Sequence, residues 1–314
     1  MKSSGSFLDV GPVPLQPSDA FLRRRHAIDT GIRLVLFVAA ALSVLVTFGI
    51  LYVLLSESLK FFTQVSIVDF LTDTQWTPVF EEKHFGIMTL LSGTLMTTAI
   101  ALVVAVPAGT ILALYLSEFA KPRLREAVKP FLELIAGVPT VAFGYFALLF
   151  LTPIFQSFIP GLARFNLLVS GVVIGIMILP YIVSMSEDAM RAVPDSLREG
   201  AYALGFTRLQ TGLKVVTPAA LSGVTAAYLL GMSRAVGETM VVAIAAGQQA
   251  RIATNPLEGA ATITSYIVQL SMGDLPHESI AYQTIFAAGL TLFALTFSFN
   301  LFAFWLRKRY REAY

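Results

Sequence analysis

LVLFVAAALSVLVTFGILYVLL, residues 34–55, is a run of 22 residues without one charged side chain. As a helix rising 1.5 Å per residue it is about 33 Å long, enough to cross the roughly 30 Å of bilayer hydrocarbon. Lipid offers no hydrogen bonds, and a helix is the conformation that satisfies its backbone within one segment. The run reads as a transmembrane helix. A cleaved leader fits it poorly: the core is longer than a typical h-region, it begins well into the chain, and no small-x-small site follows before Glu57.

The same scan finds five more candidates, three of them uncharged and two interrupted, at 89–117, 131–152, 167–185, 219–247 and 281–306. The third holds Glu133 near one end, and the fifth holds Arg234 and Glu238. Over all 314 residues, 56% are hydrophobic, 13% are charged and the mean hydropathy is +0.73. The expected fold class is therefore an all-α integral membrane protein with six transmembrane helices. The chain has no cysteine, which removes disulfides and thiolate ligands. His26, His84 and His277 are far apart and lack ligand spacing, so neither a metal site nor a cofactor is expected.

Six spans place both termini on one side, and lysine and arginine say which. One face carries Lys2, Arg23, Arg24, Arg25, Arg33, Lys121, Arg123, Arg125, Lys129, Arg191, Arg198, Arg208, Lys214, Arg307, Lys308, Arg309 and Arg311, seventeen in all. The other carries Lys60, Lys83, Arg164 and Arg251. Both termini are expected to be cytoplasmic. These short basic flanks serve orientation and give no support to nucleic-acid binding. Residues 1–30, with Pro12, Pro14 and Pro17, read as a flexible cytoplasmic tail, 31–306 as the membrane domain and 307–314 as a basic tail.

Prolines interrupt several spans, at Pro107, Pro139 and Pro180. They are compatible with simple bends and with broken helices around a polar path. The longest cytoplasmic connection, about 187–217, contains VPDSLREGAYALGFTRLQTGLKVVTP. Asp195 or Ser196 can cap a helix, Glu199 stands three residues after Ser196 as in a capping box, and Gly205 is a natural stop. Leu197, Ala201 and Leu204 share one face at i, i+4 and i+7. A short helix, turn and second helix at the membrane surface are expected.

Glu199, Gly200 and Ala201, then Gly205, then nine residues and Val215-Val216-Thr217-Pro218, resemble the EAA motif of ABC importer permeases. Gly200, Val215 and Thr217 depart from the usual alanine, isoleucine and leucine. The resemblance implies that this stretch is a coupling helix docking on an ATP-hydrolysing subunit, with Glu199, Gly200, Ala201, Leu204 and Gly205 as the contact candidates. LELIAGVPTVAFG, SRAVGETMVVA and WTPVFEEKHFGIMTLLSGTL, with the ending FNLFAFWLRKRYRE, are similar to the phosphate-specific branch. GETMVV and the sizeable external segment after the first span favour its C-type subunit. The resemblance spans roughly residues 30–312. It implies a six-span permease domain in a bacterial cytoplasmic (inner) membrane. The implied partners are an A-type second permease subunit, a dimer of ATP-binding subunits, an extracytoplasmic phosphate-binding protein, phosphate and membrane lipid.

Four residues apart on a continuous helix, Arg234 and Glu238 would stand one turn apart on one face and neutralise one another. A central ion costs at least about 2.5–3.5 kcal/mol against lipid, so that face should look into the bundle or a watery path. Either the pair is a structural bridge, or Arg234 offers its planar fork to an oxyanion in transit with Glu238 beside it. No Ser, His and Asp converge, so no catalytic residues are expected. The competing function is an ion-coupled secondary carrier of a small anion, with Glu238 binding the coupling ion. Such a carrier needs no docking helix.

Overall fold

The computed structural model describes residues 19–276 and 279–309. The expected tail up to residue 18, His277 and the chain from 310 onward lie outside them. The described residues fall into two units, divided between Val53 and Leu54. The described part of the first is α1 (Asp19–Phe62) as far as Val53, a helix that begins inside the stretch expected to be tail.

The second unit continues with α2 (Ile67–Thr72), α3 (Met88–Leu114), α4 (Pro122–Ala136), α5 (Thr140–Tyr145), α6 (Thr152–Phe158) and α7 (Leu167–Arg191). It goes on through α8 (Asp195–Ala203), α9 (Arg208–Thr211), α10 (Thr217–Ala219), α11 (Leu221–Val236), α12 (Met240–Ala245), α13 (Ile263–Ser271) and α14 (Ile280–Arg309). Among the described residues the one piece of β structure is an antiparallel bridge between Trp76 and Phe85. Wider π-helical turns extend α3 to Phe119, join α5 to α6 and join α9 to α10. The last two each end at a Thr-Pro pair. Proline donates no N–H there, and the threonine hydroxyl, Thr152 or Thr217, donates to the carbonyl five residues back.

Five helical stretches are long and apolar enough to cross a membrane: Ile28–Phe62, Met88–Phe119, Thr140–Phe158, Leu167–Arg191 and Ile280–Trp305. A sixth crossing is assembled from broken pieces, with Arg208–Ala219 and Leu221–Val236 bent by 74°. Two expected boundaries change. The run 131–152 is split at Gly137-Val138-Pro139, because proline drives the residue before it out of helical geometry. Its first residues belong to α4, which carries Arg125, Lys129 and Glu133 and is amphipathic; the crossing begins at Thr140. The run 219–247 breaks at Gly237-Glu238-Thr239. Pro107 and Pro180, by contrast, lie inside continuous helices.

The core is the α3–α7 contact, and small residues make it close. A Cβ on Gly175 would stand 2.8 Å from the Ala101 carbonyl oxygen, and one on Gly171 2.7 Å from Ile100. Without a hydrophobic force between helices in lipid, such close packing is what holds a pair together. Gly231 lets α11 approach Ile182 of α7 in the same way. Met177, Ile178 and Ile182 fill this core, fully buried. At the end remote from α8, Phe61, Phe70, Trp76 and Tyr266 make edge-to-face contacts that seal the bundle, with ring centroids 5.1–6.1 Å apart.

Candidate functional site

Arg234 sits near the C-terminus of α11, thirteen residues or about 20 Å from its start. It is exposed on the surface of this single chain. Its guanidinium lies over the ring of Tyr181 on α7, 4.3 Å from the centroid. Glu238 is buried in the break. Its Oε1 accepts from the Met240 and Val241 amides at 3.1 and 3.2 Å, closing the first turn of α12. Its backbone carbonyl accepts from the Thr264 hydroxyl at 2.7 Å, and Thr262, Thr264 and Ser265 form one hydrogen-bonded knot at the head of α13.

The expected one-turn pairing therefore does not form. Gly237 ends α11, the chain leaves the helix, and the Glu238 carboxylate turns toward α12. Arg234 and Glu238 flank the same break without an ion pair between them. A structural bridge between the two is excluded in this conformation.

The loop between α7 and α11 forms the short helices expected of it, with different caps. Pro194 takes the N-cap position of α8, so the Ser196–Glu199 capping box is absent. The box forms one helix later, between Thr207 and Gln210. Gly205 does end α8. It has φ +84°, with its amide donating to Tyr202 and that of Phe206 to Ala201, a Schellman arrangement. Ala201 is buried and Leu197 packs on the bundle, but Leu204 follows the last helical residue and is 80% exposed. Glu199, Gly200 and Leu204 together present an outer surface.

What fixes α8 is a residue the motif did not point to. Arg198 donates to both Glu118 oxygens at 3.1–3.4 Å, to the carbonyls of Val193 and Met190 at 2.6 and 2.9 Å, and to Asp195. Its side chain is 14% exposed and that of Glu118 4%. Beside it, the fully buried Glu187 of α7 meets Lys129 of α4, which also bonds Asp188 at 2.7 Å. Burial lowers the Lys129 pKa, but the bonds and charges of Asp188 and Glu187 outweigh it and raise the net value.

Residues 105–312 match the family described as "Binding-protein-dependent transport system inner membrane component". The chain belongs to this family. It is thus a multi-pass inner-membrane permease subunit of an ABC importer. It is 36% identical over 245 residues to the "Probable ABC transporter permease protein YqgH" of Bacillus subtilis, covering 78% of this chain and 79% of that one. It is 35% identical over 250 residues to the "Phosphate transport system permease protein PstC" of Mesorhizobium japonicum, covering 73% and 74%. A solved bacterial ABC transporter involved in the import of the acidic polysaccharide alginate shares the fold. Its TM-score is 0.62 at 17% identity, over 92% of this chain and 100% of that one.

Within the permease, Tyr181, Thr264 and the Arg198–Glu118 pair complete the picture that the motifs began. Glu118, a carboxylate at the end of an apolar run, was a visible signal; nothing in the sequence marked Tyr181 or Thr264 as neighbours of the break.

Proposed function

We propose that this permease carries inorganic phosphate inward as the C-type half of a pair with an A-type permease. A dimer of ATP-binding subunits drives it at α8, and an extracytoplasmic phosphate-binding protein supplies it. The single observation that carries the reading is Arg234, an exposed guanidinium deep on a crossing helix. Against lipid it would cost at least about 2.5–3.5 kcal/mol, so that face belongs to a subunit interface or an aqueous path. A guanidinium held by ring stacking alone keeps its planar fork free for two oxygens of a tetrahedral anion. The phosphate assignment rests on the name of the Mesorhizobium relative, and the seventeen-to-four split of basic residues supports cytoplasmic termini.

In this scheme Glu238 acts apart from Arg234. One oxygen holds α12 in place, and the other accepts a hydrogen bond from the P–OH group that hydrogen phosphate carries and sulfate does not. Glu199, Gly200, Leu204 and Gly205 make the outer face that meets the ATP-binding subunit, while Ala201 seats α8 on the bundle. The test is ATPase activity of the assembled importer in liposomes with binding protein. Phosphate should stimulate it and sulfate should not; equal stimulation by both would reject phosphate specificity.

A further inference from the structure

At the α8 end, a polar basin of about 540 Å³ is lined by five cationic side chains and two carboxylates. The cations are Lys121, Arg125, Arg191, Arg198 and Arg208, and the carboxylates Glu118 and Asp195, a net lining charge of +3. One of the five is spent, since every N–H of Arg198 is engaged by Glu118, Asp195 and two carbonyls. The other four are not. The side chains of Lys121 and Arg208 make no hydrogen bond or ion pair among the described residues. Arg125 and Arg191 make only long ion pairs, at 4.0 and 3.9 Å, with Glu187, a carboxylate they share with Lys129.

Arg125 is the decisive member. Its side chain is 19% exposed and makes no hydrogen bond, its one carboxylate partner being Glu187 at 4.0 Å. Four cations without a side-chain hydrogen bond, two of them also without a carboxylate partner, repel each other around one concavity and attract an anion. The start of α4, whose N-cap Lys121 provides no side-chain cap, adds its partial positive charge. Arginine forks match the paired oxygens of phosphate and carboxylate groups. The basin lies where the apolar run of α3 gives way, at Phe119, to amphipathic α4, at the end of a membrane-spanning stretch.

We propose that this basin is a second anion site, separate from Arg234, that binds a phosphate group borne either by an anionic phospholipid or by the free ion. The inference does not depend on which anion the permease transports.

The test uses the intact importer in lipid-free zwitterionic detergent. Short-chain phosphatidylglycerol, short-chain phosphatidylcholine and inorganic phosphate are the probes, and bound probe is counted by native mass spectrometry. Two double variants, Arg125→Gln/Arg191→Gln and Lys121→Gln/Arg208→Gln, are compared with wild type, which subtracts anion binding elsewhere in the complex. The second pair includes only exposed side chains, so its fold is secure. Saturable binding of phosphatidylglycerol or phosphate, with none of phosphatidylcholine, is expected, and each double variant should weaken it roughly tenfold or more. Competition by inorganic phosphate assigns the free ion; its failure to compete assigns the lipid. No saturable binding of either anion to wild type, or undiminished binding by either double variant, overturns the proposal.

Discussion

Replacing Arg198 by alanine should loosen α8 from the bundle. The side chain ties Glu118 at the end of α3 to the Met190 and Val193 carbonyls that lead into α8. Its contact with Asp195 adds almost nothing, because that carboxylate is 88% exposed. Glu118 is different: at 4% exposure it would be stranded as a buried charge, and breaking such a pair from one side costs about 3–5 kcal/mol. Arg198→Lys keeps the charge but has too few donors for all four partners, so its loss should be intermediate. The double variant Arg198→Met/Glu118→Leu should recover most of the stability, since an apolar pair of similar volume often matches a buried ion pair. The assay pairs thermal unfolding of the assembled complex with substrate-stimulated ATPase activity. Arg198→Ala should lower the midpoint and raise unstimulated hydrolysis relative to transport. A wild-type midpoint with normal coupling would refute the role given to the clamp.

Gly205→Ala should shorten α8, since a left-handed residue with a Cβ costs about 1–2 kcal/mol, and ATPase coupling should fall while membrane abundance holds. Gly175→Val should separate α3 from α7, because even a Cβ would sit 2.8 Å from the Ala101 carbonyl; assembled protein, counted by fluorescence-detected gel filtration, should drop. In the segment before α3, burial raises the Asp73 pKa, but the Gln75 amide and the His84 ring at 2.9 Å outweigh it and hold the carboxyl below its ordinary 3.8. Its folded value being depressed, its stabilisation is fully present above 3.8 and is lost as pH falls through the lower folded value. Acid-dependent proteolysis of this segment should therefore set in below 3.8 in wild type and lose that dependence in Asp73→Asn.

The long apolar helices were legible because lipid imposes one solution, and their charge-free runs are longer than any soluble core requires. The docking loop was legible through Gly205, whose positive φ the structure requires. What escaped depended on which rule wins locally. A continuous helix through Arg234 and Glu238 was the natural reading of an apolar run, yet Gly237 followed by a carboxylate able to cap α12 breaks it. Pro139 splits another run by forcing Val138 out of helical geometry, and its position alone is compatible with a bend. The Arg198–Glu118 clamp spans 80 residues of sequence and Arg234–Tyr181 spans 53; pairs that distant follow only from packing.

Phosphate uptake per assembled importer in proteoliposomes, wild type against Arg234→Gln, decides whether Arg234 meets the anion. Arg234 stabilises the fold through its ring contact with Tyr181, worth about 0.5–1 kcal/mol at an exposed site, so assembly should be nearly unchanged. Losing a charge-assisted contact to the anion should slow uptake by about one to two decades, and adding Glu238→Gln should not restore it, because no ion pair joins the two residues. Uptake at the wild-type rate by Arg234→Gln, or its recovery in the Arg234→Gln/Glu238→Gln double variant, would contradict a direct part for Arg234 in the anion's path.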